Sequence, residues 1–157
     1  MTDRNSGNTH VRPMKFHKYL TRFALWVGAL LNFYQAGLLI SGNHYESEYQ
    51  RNLVYQAYDG MKTVDEVGAL VYVFVAIFGI HTAVRLIKRR KNAPKMLGFL
   101  YFTAAAGPMI YILMVSSRTG LPVAELIDHT FCVSVAGNAL WLIISRIYYN
   151  KRIHMLV

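Results

Sequence analysis

Cysteine, acidic residues and charge of either sign are scarce in this sequence. Its 157 residues include one cysteine, Cys132, and 8 acidic residues. A single cysteine excludes a disulfide-stabilised scaffold, because such a scaffold needs paired cysteines. Charged residues make up 16% of the chain and hydrophobic residues 54%. This balance excludes intrinsic disorder, since disordered chains combine low hydrophobicity with high charge.

Catalytic motifs are also lacking. The sequence has no glycine-rich phosphate loop, nucleophile elbow, paired-histidine zinc motif or Cys-x-x-C pair. We therefore predict that the protein is not an enzyme and holds no cofactor. His81 leaves one alternative open, because a histidine at membrane depth could ligate haem or relay a proton. His17 is the histidine expected at a similar depth, and an ordinary interfacial histidine is the simpler interpretation of His81.

Long apolar runs are what the sequence has in abundance. Four of them have roughly the 20 residues that a helix needs to cross the hydrocarbon layer, and they cover residues 20–41, 67–87, 96–115 and 130–149. They predict an all-α polytopic membrane protein whose four transmembrane helices pack as a bundle within a domain of residues 14–157. Residues 1–13 are polar and are expected to form a disordered cytoplasmic tail.

The basic residues indicate an orientation. Lysine and arginine are enriched in the cytoplasmic loops of membrane proteins, and here they cluster before the first run, between the second and third, and after the fourth. Both termini are therefore predicted to be cytoplasmic, in a plasma membrane. Candidate contacts for anionic lipid headgroups on that face are Arg85, Lys88, Arg89, Arg90, Lys91, Lys95, Lys151 and Arg152. Because the run 88–91 directly follows an apolar helix, we expect lipid and no nucleic acid as its partner.

The connection after the first run is long and has helical spacing. Tyr45, Tyr49 and Leu53 recur every four residues, and Val54 and Tyr58 lie close to the same face. This pattern predicts an interfacial helix over residues 45–58. Glu46, Glu48 and Arg51 are expected on its opposite face. An ordered connector is the simpler interpretation of this segment, and a substrate-binding lid is the alternative.

Two short signals set the expected ends of the neighbouring helices. Asp59 and Gly60 are expected to end the interfacial helix, because glycine readily adopts the left-handed conformation of a helix C-terminus. Thr63 and Glu66 have the spacing of a capping box. They predict the start of the second transmembrane helix. Pro122 could open the fourth helix earlier than residue 130.

Polar side chains at membrane depth are the remaining candidates. Asn32 lies on a row of small residues with Gly28 and Ala36, which favours close packing of another helix. The alternative is that Asn32, Gln35 and Asn138 line a polar cavity for a small solute. Pro108 predicts a kink in the third helix. The sequence offers no carboxylate within the four predicted spans, so ion-coupled transport lacks its usual site.

Short stretches at the ends of the apolar runs resemble those of known proteins. They are residues 15–20 and 32–33, Tyr58-Asp59-Gly60-Met61-Lys62, residues 91–97, and Ile147-Tyr148-Tyr149-Asn150-Lys151-Arg152. The chain is similar to uncharacterised four-span membrane proteins of Gram-positive bacteria over residues 14–157. This resemblance implies a four-helix architecture in a bacterial cytoplasmic membrane and carries no activity.

Together these observations favour binding over chemistry. We expect a multi-pass integral membrane protein that acts as a non-enzymatic accessory or partner-binding protein. Its expected partners are the lipid bilayer and either another membrane protein or further copies of this chain. A small homo-oligomeric channel or transporter is the alternative. It would use Asn32, Gln35 and Asn138 together with the Pro108 kink.

Overall fold

The computed structural model describes residues 15–152, so the tail predicted for residues 1–13 lies outside the described part. All regular elements between residues 15 and 152 are helices. They are α1 (Lys15–Tyr19), a π-helical turn (Leu20–Ala24), α2 (Leu25–Ser41), α3 (Glu48–Ala57), α4 (Met61–Ile87), α5 (Ala93–Thr119), α6 (Val123–Leu126) and α7 (His129–Asn150).

Four stretches of helix are long and apolar enough to cross a membrane: Lys15–Ser41, Met61–Ile87, Ala93–Thr119 and His129–Asn150. The prediction of an all-helical chain with four such helices is confirmed. Three of the helices have 27 residues, which is about 40 Å at 1.5 Å per residue and exceeds the hydrocarbon thickness. The helices therefore extend beyond the apolar runs from which they were predicted.

The helices pack in the order α2, α4, α5, α7, each against the next. Small residues set the closest approaches. A Cβ atom on Gly68 of α4 would lie 2.7 Å from Cδ2 of Tyr111 in α5, and one on Gly107 would lie 3.0 Å from Val71. These glycines therefore leave room for side chains of the neighbouring helix to pack directly against the backbone. We call the end of the bundle that carries α3 the α3 end, and the opposite end, with residues 15–22 and the 88–92 turn, the basic end.

Aromatic contacts join the first helix to the last at the basic end. Phe16 stacks on Trp141 and packs against Tyr148. His17, which is buried, makes a hydrogen bond of 2.8 Å between its Nδ1 and the hydroxyl of Tyr149. Because α2 and α7 share no extensive contact elsewhere, these side chains are the main link that closes the row of helices.

A π-helical turn, Leu20–Ala24, interrupts the first helix. The wider turn changes the pairing of backbone carbonyls. The carbonyl of Thr21 accepts a hydrogen bond of 2.9 Å from the indole Nε1 of Trp26, and the hydroxyl of Thr21 donates to the carbonyl of His17 at 2.7 Å. Side-chain hydrogen bonds therefore pair with the backbone carbonyls of this turn. Leu20 and Thr21 remain buried in the bundle.

Several predicted helix ends are wrong. The capping box at Thr63 and Glu66 does not form, because α4 already begins at Met61, immediately after Gly60 in a left-handed conformation (φ 77°). Helix α3 ends before Gly60, with Tyr58 extended at its C-terminus. Pro122 precedes the short separate helix α6. Helix α7 starts independently, with Asp128 accepting a hydrogen bond from the backbone N–H of Phe131.

Candidate functional site

Asp65 forms the most connected polar site of the described chain. The Tyr111 hydroxyl donates to its Oδ1 at 2.7 Å, and the hydroxyls of Tyr55 and Tyr45 donate to its Oδ2 at 2.8 and 3.1 Å. Nε2 of His44 lies 3.5 Å from Oδ2. The carboxylate itself is only 1% exposed. We call these five residues the Asp65 cluster.

Three parts of the fold bring the Asp65 cluster together. Asp65 lies in the second turn of α4, on the face that packs inward. Tyr111 comes from α5, and Tyr45 and Tyr55 come from the segment between α2 and α4. The space for Tyr111 depends on Gly68, one turn after Asp65, because a larger residue there would overlap its ring. The cluster therefore fastens α3 and its flanking loop to two long helices.

The surroundings of the Asp65 cluster keep its tyrosines in the neutral form. Burial, and next the hydrogen bond to Asp65, raise the pKa of Tyr55 to about 12. Burial and the negative charge of Asp65 likewise raise the pKa of Tyr45 well above its usual value. The tyrosines therefore act as hydrogen-bond donors at neutral pH.

A cavity of about 280 Å³ opens beside the Asp65 cluster, between the end of α2 and the start of α4. Tyr55, Lys62 and Glu66 line it together with Asp65. The charges of Lys62 and Glu66 lie 4.0 Å apart. Within residues 15–152 no three histidine, cysteine or acidic side chains are grouped as metal ligands. The cavity can therefore take a small polar solute, and the carboxylate of Asp65 is already occupied by its tyrosines.

Asp65 is a functional residue that sequence reasoning missed. It precedes the predicted span of residues 67–87, whereas the helix α4 includes it in the Met61–Ile87 stretch. The buried residues at the start of this helix are Met61, Val64, Asp65, Gly68 and Ala69. Their i, i+3, i+4, i+7, i+8 spacing is that of a core-facing stripe. That spacing is the signal in the sequence that could have identified Asp65 as buried.

The face predicted for α3 is divided in the structure: Val54 and Tyr58 lie on the bundle side, whereas Tyr49 and Leu53 do not. Arg51 does not point away from the bundle: its Nη1 donates to the carbonyl of Ser41 at 3.1 Å, and its side chain covers Gly42. Tyr49 is 74% exposed and Leu53 47% exposed. The inward face is instead formed by Arg51, Val54, Tyr55 and Tyr58. The apolar pair Tyr49 and Leu53 is left free on the outer surface of α3.

Asn32 and Asn138 both line a small cavity of about 80 Å³ between the long helices. Each amide donates to a carbonyl of its own helix, Asn32 to Gly28 at 2.7 Å and Asn138 to Ser134 at 2.9 Å. Gly28 has no atom of another residue within 4 Å of a built Cβ. The middle of the small-residue row therefore borders the cavity, whereas Ala36 at its end is buried against α4.

Gln35 and His81 are not brought to this cavity. Both are exposed on the surface of the bundle, and His17, the other histidine considered for haem, is buried against Tyr149. His81 and His17 therefore have opposite surroundings. Helix α5 continues through Pro108, which is buried, from Ala93 to Thr119.

The predicted headgroup contacts lie at the basic end. Arg85, Lys88, Arg89, Arg90, Lys91, Lys95 and Lys151 are exposed there. Arg152 is half-buried, with its guanidinium 4.2 Å from the centre of the Tyr148 ring. The described acidic residues, Glu46, Glu48, Asp59, Asp65, Glu66, Glu125 and Asp128, all lie in or next to the two connections at the α3 end. The two ends of the bundle therefore have opposite charge.

No family model, curated protein or solved structure matches this chain. The resemblance to four-span bacterial membrane proteins stays a prediction.

Proposed function

We propose that this chain is a multi-pass integral membrane protein of the plasma membrane that works by binding a partner, without catalysis. The four long apolar helices support the membrane location. The segregation of lysine and arginine at one end supports cytoplasmic termini. The basic end then contacts the anionic headgroups of the inner leaflet, and the α3 end faces outward.

The observation that carries the proposal is the saturation of Asp65. Three tyrosine hydroxyls occupy its two oxygens, so the strongest polar group of the bundle is committed to internal hydrogen bonds. These hydrogen bonds hold α3 and its flanking loop in one position. A surface that is held in place loses less conformational entropy when it binds a partner.

The surface held in this way has the composition of a contact site. Tyr49 and Leu53 form an exposed apolar pair, and Glu46 and Glu48 are exposed nearby. Tyrosine is enriched at protein interfaces. We therefore propose as the partner a membrane protein whose outer surface offers an apolar recess bordered by basic side chains.

Site-specific photo-crosslinking tests this proposal. A photoreactive amino acid replaces Tyr49 in one variant and Tyr34 in a control. Tyr34 is also exposed, at 62%, but lies in the middle of α2. We expect one discrete protein adduct from position 49 in native membranes and only lipid adducts from position 34. Leu53→Asp should abolish the protein adduct, while the chain still folds with the hydrogen bonds of Asp65 intact. Lipid adducts alone from both positions would refute the proposal.

A small channel or transporter is the second candidate function, favoured by the cavity beside Asp65. A buried carboxylate in an apolar helix is a common feature of solute and proton pathways. In that case Lys62→Gln or Glu66→Gln, which changes the cavity wall and leaves the tyrosine bonds intact, would alter solute uptake by proteoliposomes. The partner-binding function predicts no change in uptake for either variant.

A further inference from the structure

A cavity of about 460 Å³ lies at the basic end, between the start of α5 and the end of α7. Lys91, Lys95 and Arg146 contribute three positive charges to its lining, and Leu142 and Tyr149 contribute apolar surface. The cavity thus combines cations with an apolar wall at the level where both helices leave the apolar region.

A buried hydroxyl group, that of Ser145, also lies at this cavity. This residue lines the cavity, is 3% exposed, and its Oγ has no hydrogen-bond partner among residues 15–152. The hydroxyl of Tyr101 lies near enough to interact weakly with it, outside normal hydrogen-bond geometry. Helical hydroxyls usually donate to the carbonyl four residues earlier, as those of Thr21 and Thr82 do in this bundle. Ser145 therefore lacks the usual carbonyl acceptor, and its buried hydroxyl is available to a ligand in the cavity.

The charges at this cavity also lack partners. Arg146 lies four residues before the end of α7, about 6 Å into the helix at 1.5 Å per residue. No carboxylate among the described residues pairs with it, or with Lys91 or Lys95. A cation at this depth is stabilised by an anion or by reaching to the headgroups. The N-terminus of α5, which carries no side-chain cap, adds a partial positive charge.

We infer that this cavity binds the phosphate of an anionic phospholipid headgroup, with Lys95 and Arg146 as its cationic ligands and the Ser145 hydroxyl as a donor. Phosphate fits this donor set because arginine and hydroxyl groups bind its oxygens by charge-assisted hydrogen bonds. The wall formed by Leu142 and Tyr149 takes the glycerol and the first part of the acyl chains. The inference deepens the lipid contact proposed for the basic end and rests on the proposed membrane location.

Native mass spectrometry of the detergent-extracted full chain tests the site. Phosphatidylglycerol is titrated against phosphatidylcholine, and bound lipid is counted per chain. We expect one phosphatidylglycerol molecule to be retained in preference to phosphatidylcholine. Arg146→Gln and Ser145→Ala should each weaken its binding about tenfold or more, as expected for the loss of a hydrogen bond to a charged group.

Matched variants make the outcome decisive. Arg22→Gln removes one positive charge at an exposed position of the same end, outside the cavity, and should keep the selectivity. Equal losses in Arg22→Gln and Arg146→Gln would overturn the site, because they indicate diffuse attraction. Displacement of the lipid by inorganic phosphate would overturn the lipid assignment in favour of a free phosphate. If Ser145→Ala does not fold, Lys95→Gln, at an exposed position, replaces it.

The same preparation separates this inference from the proposed function. A chain that is recovered without membranes or detergent would refute the membrane location itself. A chain extracted from membranes that binds both lipids equally would refute only the phosphate site and leave the outer contact surface of α3 unaffected.

Discussion

Replacement of Tyr111 by phenylalanine tests the Asp65 cluster most directly. The hydroxyl of Tyr111 is the one described donor to Oδ1, at 2.7 Å, and Asp65 is 1% exposed, so bulk water has little access to this carboxylate. A hydrogen bond to a charged group contributes about 1.5–3 kcal/mol. The ring and its contact with Gly68 persist in phenylalanine. We therefore expect Tyr111→Phe to lower the free energy of unfolding by about 2 kcal/mol.

Tyr55→Phe is the matched comparison. Oδ2 of Asp65 keeps the hydroxyl of Tyr45 when Tyr55 is truncated, and the nearby cavity admits water. We expect a smaller loss, about 1 kcal/mol. The two variants therefore compare the single tyrosine donor to Oδ1 with one of the two tyrosine donors to Oδ2, beside the cavity.

Reversible unfolding in mixed micelles of a mild detergent and sodium dodecyl sulfate measures both variants. A double-mutant cycle with Asp65→Asn isolates the interaction, because it compares the effect of Tyr111→Phe with and without the carboxylate. We expect the effect to shrink by more than half in the Asp65→Asn background. A loss from Tyr111→Phe below about 0.5 kcal/mol, the size of an ordinary surface effect, would refute the assignment of this hydrogen bond to stability.

Three further predictions follow from the same packing and charge. The folded-state pKa of Tyr55, about 12, lies above the unfolded value near 10. The contribution of Tyr55 to stability is therefore full below about pH 10 and is lost as the pH rises towards 12. A free energy of unfolding that stays constant over that interval would contradict this prediction. Gly68→Ala should destabilise the bundle by about 1–3 kcal/mol in the same unfolding assay, because its Cβ would lie 2.7 Å from Tyr111. Gly28→Ala is the control and should have no such effect, because a Cβ there meets nothing within 4 Å. Equal effects of the two variants would refute the packing argument. In a Cys132→Ser background, a membrane-impermeant thiol reagent applied to intact cells should label cysteine introduced at Gln56 and not at Lys91, and the reverse pattern would refute the proposed orientation.

The helical architecture could be predicted because it depends on local composition. An apolar run of about 20 residues has few alternatives to a helix, since every backbone polar group must be satisfied within the segment. The ends were harder to predict. Met61 and Lys62 precede the apolar run, and the continuation of α4 to Met61 depends on Gly60 and on packing of Met61 in the core.

The Asp65 cluster could not be predicted from local pattern alone. Its donors are 20, 10 and 46 residues away in the chain, and only the packing of α4 against α5 brings Tyr111 to Asp65. The prediction of which residues of α3 face the bundle failed for a related reason. Arg51 was expected on the face opposite Tyr49 and Leu53 and away from the bundle, but its guanidinium donates to the carbonyl of Ser41 at the end of α2, a contact that the sequence pattern of α3 does not contain.

The order of the donors along the chain has a consequence for biosynthesis. In the proposed membrane location, an aspartate without partners costs up to about 2.5–3.5 kcal/mol, the value for the centre of a helix, and Asp65 lies in the second turn of α4. Tyr45 and Tyr55 are synthesised before Asp65, so two donors are already available when α4 leaves the ribosome. Tyr111 follows only with α5. The first two long helices and α3 can thus shield the aspartate as one insertion unit, and α5 completes the shield when it arrives.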